Sequence, residues 1–160
     1  MGIPNPASED IKDQILLSTD SPMSELEFGK NLFIGREPAR PDDCVTIFDT
    51  PGFPPDRHYD PETRYYRPSV QIRVRAREYV NAYTMITLIK ESLHNLPYIA
   101  INDTVYTGIF CSQEPALLDW DENGRCRWVT TFDLQRRPGE GVSWDTYANK
   151  TWDKIGRAHV

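Results

Sequence analysis

Cysteine is scarce in this sequence. Cys44, Cys111 and Cys126 are odd in number, far apart and without a C-x-x-C pair, so neither a disulfide framework nor a zinc site is indicated and a reducing compartment is expected. No basic stretch leads into an apolar run at the start, and no apolar run approaches the roughly 18 residues of a spanning helix. Those absences argue against secretion and against membrane spanning. Positive charge is also short, with 18 Lys+Arg against 24 Asp+Glu and a formal net charge of −6. Because affinity for phosphates comes from neutralising cations, this balance argues against a DNA-coating role and favours DNA sliding past the protein over being gripped. Catalytic signatures are missing too: there is no G-x-S-x-G elbow, no P-loop lysine and no G-x-G-x-x-G before a helix.

What is present is a pattern. At 67–75, RPSVQIRVR, the apolar Val70, Ile72 and Val74 alternate with Gln71, Arg73 and Arg75, the period of a half-buried strand. The stretch runs directly into 78–93, where Tyr79, Ala82, Met85, Ile86, Ile89 and Leu93 recur at helical spacing. Strand followed by amphipathic helix predicts a sheet with a helix on one face. The other face then carries Arg73 and Arg75 in an acidic chain, so these arginines either meet carboxylates of another subunit or protect an exposed sheet with charge. Self-assembly is the first function to weigh.

A chain of 160 residues fits one domain, able to bury roughly 68–70% of its unfolded surface. The expected organisation is a loose arm at 1–7, a domain at 8–138 and a polar tail at 139–160 carrying Trp144 and Trp152. The last six residues, IGRAHV, resemble a translated sequencing adapter, so 155–160 and His159 are set aside. A first helix is expected at 8–18, with Ser8 as N-cap, Glu9 and Asp10 in its first turn, and Ile11, Ile15 and Leu16 inward. Paired strands are expected at 32–35 and 44–48, split by the turn-forming EPARPDD. Segment 50–68, with five prolines, reads as a long loop. Its Phe53, Tyr59, Tyr65 and Tyr66 make it either a partner surface or a flap over the sheet edge. After the second helix, 98–101 and 104–111 read as a hairpin about Asn102 and Asp103, and 127–135 as the closing strand.

Two clusters test for chemistry. Asp119, Asp121, Asn123 and Gly124 match the start of a calcium loop, but Thr130 stands where a bidentate carboxylate is required. A tight turn explains them. Asp56, His58, Asp60 and Glu62 offer a carboxylate and imidazole group for metal or acid/base work, against the default of a solvated loop. His94 falls at a helix C-terminus, where a cation is favoured without catalysis. No catalytic, cofactor-binding or metal-ligating residue is assigned.

The order of elements, with FIGREPARPDDCVTIFDTPG, RPSVQIRVRA and ALLDWDENGRCRWVTTFDLQRRP, resembles the minor capsid and tail-terminator proteins of long-tailed bacteriophages over 8–138. The resemblance implies an α+β fold, a mixed and mainly antiparallel sheet with two main helices packed on it. It also implies a non-enzymatic virion component made in the host cytoplasm: a ring, six-membered in the family, that caps the tail tube and joins it to the head connector, with DNA only passing through its lumen. The partners implied are further copies of the chain, the tail-tube protein and a connector or neck protein, with no membrane and no cofactor. Gln71, Arg73, Arg75, Phe53, Tyr59, Tyr65 and Tyr66 are the interface candidates. A neck or head-completion role in the same joint is the nearest rival, and a small metal-dependent enzyme built on 56–62 the rival of another class.

Overall fold

The alternating stretch forms the centre of a six-stranded sheet. The computed structural model describes residues 3–55, 65–94 and 96–139. The elements are α1 (Ala7–Leu16), β1 (Leu32–Ile34), β2 (Cys44–Phe53), β3 (Arg67–Ala76), α2 (Tyr79–His94), β4 (Ile99–Ile101), β5 (Thr104–Trp120) and β6 (Cys126–Pro138), with a 3-10 turn at Met23–Glu25. Strand order is β1-β2-β3-β6-β5-β4. Only β1 and β2 run parallel, and every other pair is antiparallel.

The period-2 pattern sets the two faces. Val70, Ile72 and Val74 of β3 join Val45 and Ile47 of β2 and Phe132 and Leu134 of β6 in one apolar core. Ile11 and Ile15 of α1 and Ala82, Ile86, Ile89 and Leu93 of α2 fill it from above. Each fully buried aliphatic side chain contributes about 1.5–3 kcal/mol. Both helices therefore cover the same face. The opposite face, with Gln71, Arg73 and Arg75 beside Thr131, Val129 and Arg127, has no helix on it among the described residues.

Local chemistry departs from expectation in four places. Pro6, not Ser8, precedes α1 and makes no side-chain cap; Asp49 of β2 accepts from the Ser8 amide at 3.0 Å and from its hydroxyl at 2.6 Å. The cap comes from the sheet. Asp10 stands in the first turn as expected, but fully buried. Strand β2 continues through Pro51 to Phe53 with a bulge between Thr50 and Phe53, because β1 pairs only with Val45–Ile47 and a proline on an unpaired edge loses no ladder bond. Gly52 is required there, since a Cβ would stand 2.0 Å from the Arg67 carbonyl oxygen. The proline-rich loop is correspondingly shorter. Finally, β5 runs nine residues beyond Cys111, to Trp120, and β6 from Cys126 to Pro138, so their hairpin is far longer than its alternation suggests. The Asn102-Asp103 turn stands, with φ of +50° and +64° as a two-residue hairpin requires.

Candidate functional site

The uncovered sheet face is the first place to look. Arg75 does not lie open on it: the side chain is 2% exposed. Segment 36–43 crosses the face, and there the Arg75 guanidinium donates to the Pro41 carbonyl at 2.7 Å and the Asp42 carbonyl at 3.2 Å, with Glu37 at 3.3 Å. The expectation that Arg75 seeks a carboxylate from another subunit is corrected: its partner is Glu37 of the same chain. The acids of EPARPDD are the sequence signal for this. They were legible as a turn but not as a counter-charge, because alternation assigns a side and says nothing of what covers it.

Arg73 is half-buried. Its guanidinium lies 4.8 Å over the Phe48 ring and donates to Gln71 at 3.3 Å, while its buried Nε has no hydrogen-bond partner among the described residues. Gln71, Arg73 and Thr131 thus form a half-polar patch on the open face. Phe53 is 62% exposed at the end of β2. Tyr66 bridges β6, its amide donating to the Arg136 carbonyl at 2.8 Å and its carbonyl accepting from the Arg136 amide at 2.9 Å. Tyr65 is half-buried beside it. Tyr59, with Asp56, His58, Asp60 and Glu62, lies outside the described residues. The structure therefore gathers Gln71 and Arg73 on one face, sets Phe53, Tyr65 and Tyr66 at the sheet's far end, and removes Arg75 from the surface.

Sequence reading missed a cluster of charge at the β5–β6 turn. Arg125, 5% exposed, meets Asp121 at 2.6 Å and Asp42 at 3.3 Å and donates to the Ala39 carbonyl at 2.7 Å. Arg127 pairs with Glu37 at 2.9 Å and Asp119 at 3.0 Å. The Asp119–Gly124 run is thus a turn whose carboxylates hold arginines. Gly124 has φ of +73°, and Asp121 accepts from the Asn123 and Arg125 amides at 2.9 Å each. Burial pushes the Asp121 carboxyl up, but these amides and the Arg125 guanidinium outweigh it and hold it below the usual carboxylate value. Among the described residues no three His, Cys, Asp or Glu side chains gather as a metal site. Burial raises the Cys44 and Cys126 thiols, which leaves them poor nucleophiles.

A second buried group ties the N-terminal helix to the sheet. Asp10 accepts from the Tyr106 hydroxyl at 2.5 Å and the Asn102 amide at 2.9 Å, with Arg136 at 3.7 Å. Arg136 also donates to the Asn5 carbonyl at 2.8 Å. Every member has a partner, so the arrangement reads as a clamp.

One further part of the surface is apolar. Tyr79 stacks on Trp120 at 6.3 Å and meets Trp128 edge-on at 5.1 Å, as does Tyr83. Tyr79, Tyr83 and Trp120 are each between 46% and 52% exposed and, joined through Trp128, form an aromatic surface of the kind that marks an interaction site. The exposed aromatic rings suit contact with other macromolecules.

Comparison with known proteins points the same way. A family model described as the bacteriophage tail terminator protein matches residues 13–137. A chain from the virion of a native gene transfer agent particle is similar in fold, with a TM-score of 0.59 at 11% identity, over 84% of this chain and 99% of that one. No curated protein matches the sequence.

Proposed function

The chain belongs to the bacteriophage tail terminator family, and from that premise we propose that it is a structural component of the virion that closes the end of the tail tube and links it to the head. The observation that carries this reading is the extent of the match, 13–137, which takes in the last turn of α1, all of α2 and every strand as far as Arg137 of β6. A resemblance of that span concerns the sheet together with its main covering helix.

In this reading the chain works by presenting surfaces. Copies join as a ring, six-membered by the sequence resemblance, with the tail-tube protein on one side and a connector or neck protein on the other. Gln71, Arg73, Phe53, Tyr59, Tyr65 and Tyr66 are proposed as contact residues. Arg75 serves indirectly by fixing segment 36–43 over the sheet. The net charge of −6 disfavours adhesion of passing DNA. No bond is made or broken, so the account asks for no nucleophile and no metal.

Co-sedimentation tests it. The purified protein should pellet with isolated tail tubes at a ratio of one small oligomer per tube. Binding to the portal or its adaptor with none to the tube would instead assign a neck role, and binding to neither would remove the reading.

A further inference from the structure

The two sides of the sheet end differently, and the difference is complementary. On the outer side of β5, β4 pairs only with Thr104–Tyr106, so from Thr107 to Trp120 no strand flanks it among the described residues. A long open edge invites another strand, yet this one is blunted. Pro115 has no amide to donate, and four register shifts interrupt the β5–β6 pairing. What β5 offers outward is therefore side chains. Leu118, 47% exposed within the last bulge, and Trp120, 52% exposed and braced against Tyr79 of α2, are the apolar side chains at its end and make up the knob. The exposed Glu122, two residues past Trp120, flanks it. The nearby cations are already engaged, Lys90 by Glu91 and Glu114, Arg125 by Asp42 and Asp121, and Arg127 by Glu37 and Asp119.

Towards β1, that strand and residues 36–39 border an open concavity of 490 Å³ lined by Phe28, Phe33, Ile34, Pro38 and Ala39, with Arg36 and Glu37 among them. Phe28 is 52% exposed. The charge here is of the other sign. Arg36 lines the rim, exposed and not ion-paired among the described residues. The acids at this end are spent, Glu27 on Lys30 and Glu37 on Arg75 and Arg127.

We propose that the β5 knob of one copy seats in the β1 concavity of the next, Leu118 and Trp120 entering between Phe28, Phe33 and Ile34 while Glu122 faces Arg36. The contact is heterologous, two different patches meeting, and a heterologous contact repeated with closure makes a ring, whereas a two-fold contact stops at a dimer. Opposite charge on the two rims sets the order of approach and disfavours knob against knob. The proposal rests on the ring reading above and supplies the surfaces that would build it.

Two variants separate the possibilities. Leu118→Asp with Glu122→Arg spoils the knob, and Phe28→Asp with Arg36→Glu spoils the hollow; all four positions are exposed, and circular dichroism checks that each variant folds. By analytical ultracentrifugation each alone should self-associate at least tenfold more weakly than the wild type. Their equimolar mixture should form a one-to-one dimer, because each partner keeps one intact patch. A wild type that forms rings while either variant also forms them, or a mixture that stays monomeric, overturns this pairing and leaves the ring reading standing. A wild type that forms no oligomer, free or on tail tubes, overturns the ring and the pairing together.

Discussion

Arg73 and Arg75 occupy equivalent places in the alternation of β3 and have opposite fates. Both point away from the helices, as the period requires, but Arg75 lies under segment 36–43 and Arg73 stands beyond it. Removing one partner of a buried pair leaves an uncompensated charge and costs about 3–5 kcal/mol. Urea denaturation of Arg75→Glu should show a loss of that order, whereas Arg73→Glu should change stability by less than about 1 kcal/mol. Equal losses would mean that the segment does not shield Arg75. Asp121 carries a second prediction at this scale. Its carboxyl is held below the unfolded value of about 3.9, so its contribution to stability is complete above that value and is lost as pH falls through the folded pKa. Thermal melts between pH 6 and pH 2 should show a steep acid loss in the wild type and a shallower one in Asp121→Asn.

Among the elements, those with strong periodicity were legible and those shaped by distant partners were not. The strand at 67–75, the helix at 78–93 and the Asn102-Asp103 turn are written in local pattern. The outer half of β5 is not, because residues 112–120 are exposed on both faces apart from Pro115, so no alternation marks them and Pro115 argues against a strand. The cap of α1 was hidden for a different reason: Asp49 lies 41 positions from Ser8, and nothing local links them. Asp49→Ala should cost about 1 kcal/mol, within the usual range for a lost N-cap. Tyr106→Phe should cost about 1–3 kcal/mol by leaving the buried Asp10 carboxylate short of a donor. Hydrogen exchange should localise both losses to α1. Protection of α1 unchanged in both variants would refute the clamp.

Over the whole molecule, one face of the sheet carries the core and the other carries charge, a crossing segment and open surface. That asymmetry suits a part built into a larger body, and the family match of 13–137 says which body. The α+β architecture was readable from the sequence, since periodicity fixes faces. The surfaces proposed for assembly were only half readable, since Gln71 and Arg73 fall on the open side as alternation requires, while the proposed β5 knob and β1 hollow depend on segments distant in sequence. The central claim is that the protein sits at one end of a tail tube as a closed ring. Electron microscopy of purified tails with the chain gold-labelled tests it most directly: label at a single end, around a disc one subunit thick, is the predicted image. Label spread along the shaft, or tails that carry none, would contradict it.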